Sequence, residues 1–154
     1  MAIATIIFLV DGENVYLSEK KRGFGVGYLN GYGGKVADDE KIEEAAIREL
    51  SEEASIIASA DDLEKVAIID FFEEKDLVFE VHVFFIHKWE GDPKESEEMA
   101  LPEVHNFKSI PHDRMWKADL VWLPLIFKGE KIKARAYYKK GMDEVESFEH
   151  EPLV

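Results

Sequence analysis

The chain has no cysteine, which excludes a disulfide framework and any thiolate metal site. It also lacks an apolar run of the roughly 18 residues that a membrane-spanning helix requires. Basic residues are in short supply: 19 Lys and Arg face 33 Asp and Glu, for a net charge of −14. A surface that acidic repels a phosphate backbone, so general coating of DNA or RNA is excluded as a role. A small phosphorylated ligand is not excluded, because a divalent cation reverses the local sign at a carboxylate-lined site. Internal repeats and linkers are absent, and the five histidines show no metal-ligand spacing. These features describe a cytoplasmic protein with no membrane partner and no polymeric nucleic-acid partner.

What is present fits one α/β domain over residues 1–154. Ala4–Val10 is rich in β-branched residues and reads as a buried first strand rather than a signal peptide. Val15–Leu17 follows as a second strand after the turn signal Asp11-Gly12. Lys20–Gly34 is dense in glycine with interleaved aromatics, the composition of a loop that brings backbone close to a ligand. Asp38–Ser55 predicts a helix capped by Asp38 or Asp39. Leu63–Phe72 and Leu77–Trp89 predict two strands, and Val104–Lys108 a short one. Pro111 is placed to open a helix through Trp116, Trp122 and Leu125, with a bend or break at Pro124. Lys131–Tyr138 and Val145–Phe148 read as closing strands.

The chemistry concentrates in Arg48-Glu49-Leu50-Ser51-Glu52-Glu53. On a helix, Glu49, Glu52 and Glu53 stand at i, i+3 and i+4 and project from one face. Like charges so arranged repel by a few tenths of a kcal/mol per pair, about the same amount that opposite charges gain. Mg²⁺ is the natural counterpart, a hard cation that keeps waters and recruits substrate phosphates. Arg48, at i, i+4 from Glu52, is placed to hold that carboxylate by an ion pair. Glu43 and Glu44 read as an ordinary solvated face.

Gly34, five residues, Glu40, seven residues and then Arg48 through Ile56 resemble the Nudix box, with Ser55 standing where the family has glycine. That glycine commonly adopts a left-handed conformation, which costs a residue with Cβ about 1 kcal/mol. The resemblance implies a Nudix fold, a mixed β-sheet sandwiched between helices. It implies that Glu49, Glu52 and Glu53 bind Mg²⁺, or Mn²⁺ in its place. Gly33 and Gly34 would supply backbone near the metal, and Arg48 would orient the glutamates. Glu53 is the favoured group to deprotonate or orient the attacking water.

Further segments narrow the resemblance. Lys20–Gly25, Asn30–Val36, Val81–Phe84, Glu95–Met99, Ile110-Pro111 with Met115-Trp116, and Trp122–Leu125 recur in order. Together they are similar to the oxidised-purine nucleoside triphosphatases, the MutT-like branch acting on 8-oxo-dGTP and 2-oxo-dATP. That likeness implies a small-molecule nucleotide substrate and a monomer or homodimer. Asn30 would read a purine edge, Trp116 stack on the base, and Asp119 accept or donate a hydrogen bond. Lys20 would face the ligand as a positive charge, Met99 and Phe24 would form apolar walls, and Glu98 would be a metal-proximal carboxylate outside the box. Where that branch has two successive aspartates, this chain reads Ala118-Asp119. Other Nudix proteins act on dinucleotides, nucleoside diphosphate sugars or capped RNA ends, or bind a nucleotide without turnover. The retained glutamates count against the last, and the acidic surface against RNA.

Overall fold

In the computed structural model, residues 1–23 and 25–154 are described. Among them eight strands form one mixed sheet. β1 (Ala2–Asp11), β2 (Asn14–Glu19), β3 (Leu29–Asn30), β4 (Leu63–Glu73), β5 (Asp76–Ile86), β6 (Glu103–Asn106), β7 (Ile132–Tyr138) and β8 (Val145–Pro152) lie in the order β3-β2-β1-β5-β4-β7-β8, with β6 pairing β2. The pairs β1–β5 and β4–β7 are parallel and the others antiparallel. Two short 3₁₀ turns, Ala60–Asp62 and His112–Arg114, and two α-helices, α1 (Ile42–Ala54) and α2 (Asp119–Phe127), complete the described elements. Neither α-helix is long and apolar enough to cross a membrane.

The period-2 pattern of β1 divides the core in two. Phe8 and Val10 face one cluster with Val81, Val83, Trp122 and Ile126 from β5 and α2. Ile7 and Leu9 face the other, with Ala46, Leu50 and Ala54 of α1. The sheet is therefore covered by α2 on one face and α1 on the other, as the resemblance implies.

Three local expectations are corrected. Helix α1 starts at Ile42, not Asp38, with Lys41 at its N-cap and no side-chain cap. The preceding residues form a turn closed by Glu40 N–H to Ala37 O (3.1 Å), and Arg48 grips Glu40 and the Lys35 carbonyl. These bonds hold residues 35–40 in a non-helical path. Pro111 opens only a short 3₁₀ turn, His112–Arg114, after which Met115 is extended and buries its side chain. Trp116 therefore precedes α2 rather than lying on it. Helix α2 runs through Pro124 without ending there and stops at Phe127. The two-residue strand β3 is too short to show a period in sequence.

Ser55 adopts the left-handed conformation, with φ 58° and ψ 32°. Its N–H bonds Ser51 O (3.0 Å) and the Ile56 N–H reaches back to Leu50 O (3.3 Å), which closes the helix end. The turn keeps the geometry that glycine favours while carrying a Cβ. Ser55→Gly is therefore expected to stabilise the fold by about 0.5–1 kcal/mol, the relief of left-handed strain less the added freedom of the unfolded chain. Urea denaturation would show a higher midpoint with an unchanged slope.

Candidate active site

The site is built where the glycine-rich segment meets β1. Residues 32–36 run antiparallel to β1: Tyr32 N–H bonds Ile7 O, Thr5 N–H bonds Gly34 O and Val36 N–H bonds Ile3 O, each at 2.9 Å. The Gly33 N–H points away from this ladder and donates to Glu53 Oε1 at 2.8 Å. Gly33 has no room for a Cβ against the backbone, and a Cβ on Gly34 would displace the Glu49 carboxylate. A Cβ on Gly33 would stand 1.8 Å from Thr5 O, and one on Gly34 would stand 2.6 Å from Glu49 Oε1. The two glycines let the strand and the acidic helix face close on each other.

Helix α1 presents its carboxylates to that contact. Glu53 is buried, at 5% exposure, and burial pushes its pKa up to about 7, with Glu49 and Glu98 adding repulsion while the Gly33 amide and Lys20 oppose. Glu49 is likewise shifted upward by burial, against the pull of Arg48. Arg48 does more than the sequence spacing anticipates. Its Nε and Nη2 hold Glu40 as a fork at 2.7 and 3.0 Å, and Nη1 bonds Glu49 at 3.0 Å and Glu52 at 3.1 Å. Glu40, below its usual carboxylate range because of Arg48, is thus the anchor of the clamp. That role follows from a chain reversal between residues 37 and 42 that the sequence does not display.

The donor chemistry fits a hard divalent cation: carboxylates whose charge is disfavoured by burial and mutual repulsion, beside backbone of two glycines. They do not converge as they stand. Among the described residues no three acidic or histidine side chains lie together at metal-holding distance. Glu49 and Glu52 are turned to Arg48, and Glu53 to Gly33. Glu98 pairs with Arg22 Nε at 2.8 Å and is half-exposed. Rotation of the glutamate side chains is needed to gather them.

Next to Glu53 lies a cavity of about 210 Å³. It brings together Lys20, Asn30, Gly33, Gly34, Met99, Trp116 and Asp119, all expected from sequence. Met99 is buried and its backbone bridges Lys20. Asn30 spends its Oδ1 on the Gly31 N–H at 2.8 Å, which fixes the amide plane. Asp119 is 4% exposed, and burial raises its pKa to about 7. The Trp116 backbone and the nearby Trp122 indole, whose N–H lies outside hydrogen-bond geometry, oppose this only in part. Burial by itself thus keeps a proton within reach of Asp119 although Ala118 stands beside it. Phe24 lies outside the described residues. Arg48, Glu49, Glu52 and Glu98 stand outside this cavity's wall.

Sequence reading missed Ala4, Ile6, Phe71, Phe79, Tyr138 and Met142, which also line the cavity. Alternation on β1, β4, β5 and β7 puts the strand residues among these on the α2 face. That they meet depends on the register between distant strands, which no local pattern encodes.

A profile of the NUDIX domain matches residues 1–126. The chain is 40% identical over 139 residues to an oxidized purine nucleoside triphosphate hydrolase of Danio rerio, covering 89% of this chain and 85% of that protein. It is 41% identical over 129 residues to the protein of the same name in Mus musculus, covering 83% and 81%. Among solved structures, a mutator MutT protein from Bacillus halodurans superposes with a TM-score of 0.79 at 24% identity over the whole of both chains. A UDP-X diphosphatase superposes with a TM-score of 0.64 at 19% identity, over 83% of this chain and 63% of that one. These two likenesses concern the fold alone.

The raised pKa of Glu53 has a consequence for stability. A carboxyl that holds its proton more tightly folded than unfolded favours the fold at low pH, and that contribution is lost as pH rises from about 4.5 through about 7. In metal-free protein, Glu53→Gln should match wild type near pH 4 and exceed it at pH 8 by on the order of 3 kcal/mol. Denaturant titrations at the two pH values check this; equal stability of the two proteins at pH 8 contradicts it.

Proposed function

The chain belongs to the Nudix family, and from that premise we propose that it hydrolyses oxidised purine nucleoside triphosphates, releasing the monophosphate and pyrophosphate. The observation that carries this reading is the juxtaposition of the buried Glu53, on the acidic face of α1, with a cavity walled by Asn30, Trp116 and Asp119. One end of the site supplies carboxylate chemistry and the other an aromatic wall with two polar side chains. The two vertebrate relatives bear the name of that activity.

Mg²⁺, or Mn²⁺ in its place, would be held by Glu49, Glu52 and Glu53 with Glu98 and the Gly33–Gly34 backbone nearby, and would neutralise phosphate oxygens and acidify water. The chain's own groups divide the remaining work. Arg48 keeps Glu49 and Glu52 on one side of the helix. Glu53, buried and lining the cavity, is placed to take a proton from the attacking water. Lys20, already felt electrostatically by Glu53, offers its charge to phosphate. Trp116 gives the base a surface to stack on, and Asn30 and Asp119 read its edge. Asp119 offers a donor when protonated and only acceptors when ionised, so it can complement a purine edge that oxidation has changed. The reading takes the substrate to be a free nucleotide in the cytoplasm and the protein to be a monomer or homodimer.

The test is pyrophosphate release with Mg²⁺ from 8-oxo-dGTP, 2-oxo-dATP, dGTP and dATP. An oxidised purine should be preferred in kcat/KM by at least about tenfold, and Glu53→Gln should lower kcat by about 10²–10⁴. Equal rates for oxidised and normal purines would remove the sanitising role. No turnover of any of the four would overturn the substrate class.

A further inference from the structure

Trp116 is not held by a helix. It sits on the segment between the 3₁₀ turn and α2, half-buried, so the orientation of its indole is set by what packs around it. Two of those contacts come from other parts of the chain. Tyr28 lies over the indole with ring centroids 5.2 Å apart and planes inclined at 33°, and Tyr138 meets it perpendicularly at 6.3 Å. Trp116 is also a partition. It lines the larger cavity beside Glu53, and it lines a second cavity of about 190 Å³ shared with Tyr28, Lys117 and Asp143. Tyr28 borders the second cavity and not the larger one.

The turn that carries Tyr28 is built to bring it there. Tyr28 N–H bonds Gly25 O at 3.1 Å, Gly27 N–H bonds Lys20 O at 2.9 Å and Lys20 N–H bonds Tyr28 O at 3.0 Å. Gly25 has φ 88°, and a Cβ there would lie 3.0 Å from the Trp116 indole nitrogen, so the turn can close on the tryptophan only with glycine at that position. Tyr28 is 41% exposed and stands outside both core clusters. Tyr28 thus presents a partly exposed ring, on a tight turn, against the tryptophan that walls the larger cavity.

We propose that Tyr28 is a positioning residue for purine binding: its ring braces the Trp116 indole and so fixes the surface on which the base stacks. The proposal rests on the reading that the purine occupies the larger cavity. An aromatic pair of this kind contributes enough that its loss is felt as about a three- to tenfold change in affinity.

Tyr28→Leu and Tyr28→Gln remove the aromatic ring, and Tyr28→Phe keeps it. With 8-oxo-dGTP, the first two should raise KM about three- to tenfold with kcat changed less than about twofold, while Tyr28→Phe stays at the wild-type values. Inhibition by pyrophosphate, which reports on the phosphate end, should not change in any variant. Melting temperatures should fall by no more than a few degrees in the Leu and Gln variants, as expected for loss of one partly exposed aromatic contact, and not at all in Tyr28→Phe. An unchanged KM in the Leu and Gln variants, or a loss in Tyr28→Phe as large as in Tyr28→Leu, would overturn the proposal. Absence of purine triphosphate turnover in wild type would instead sink the substrate reading. Calorimetric binding of 8-oxo-dGMP would then decide the role of Tyr28: weaker binding without the ring supports it, and equal binding refutes it.

Discussion

Everything at the site depends on how closely the backbone at Gly33 and Gly34 approaches its neighbours. On one side it is laddered to β1, with Thr5 O so near that a Cβ on Gly33 would collide with it. On the other side it touches the acidic face of α1, through the Gly33 N–H to Glu53 and through Gly34 against Glu49. Because β1 is central in the sheet, paired with β2 and parallel to β5, this contact ties the core to the chemistry directly. A side chain at either glycine would push α1 or its carboxylates away from the strand.

The same closeness puts Glu53 and Glu49 in surroundings that disfavour their charge. A carboxylate buried beside others is destabilising unless something compensates it. Part of the compensation is in the fold: the Gly33 amide, Lys20, and the fork of Arg48 that is itself anchored by Glu40. The remainder is what a divalent cation, as proposed, would supply. Natural proteins commonly give up some stability at functional positions in this way. Here the conflict is localised on one helix turn and held in place by one arginine.

Much of this was legible in the sequence, for physical reasons. Periodicity revealed β1, β4, β5 and β7 and the bulk of α1, because apolar residues recur at the spacing each element imposes. The acidic face of Glu49, Glu52 and Glu53 followed from helical geometry alone. The resemblance pointed to a left-handed turn at position 55 without deciding whether serine keeps it, and Ser55 does. What escaped reading was set by contacts between distant segments. The late start of α1 comes from Arg48 gripping residues 35–40. Trp116 falls outside a helix because Met115, extended just before it, is buried in the core. Tyr28 and Tyr138 reach Trp116 only after the turn closes and β7 pairs with β4, events that no local pattern records.

The central claim is that Glu53, buried on the acidic face of α1, holds a proton near neutral pH that a divalent cation would displace. Calorimetric titration of Mn²⁺ in buffers of differing ionisation enthalpy measures this directly, since the buffer dependence counts protons released. At a pH near 6.5, where Glu53 is largely protonated, binding should release about one proton, falling toward zero at about pH 9 and in Glu53→Gln at either pH. Binding without proton release near pH 6.5, or the same release in Glu53→Gln as in wild type, would contradict the account.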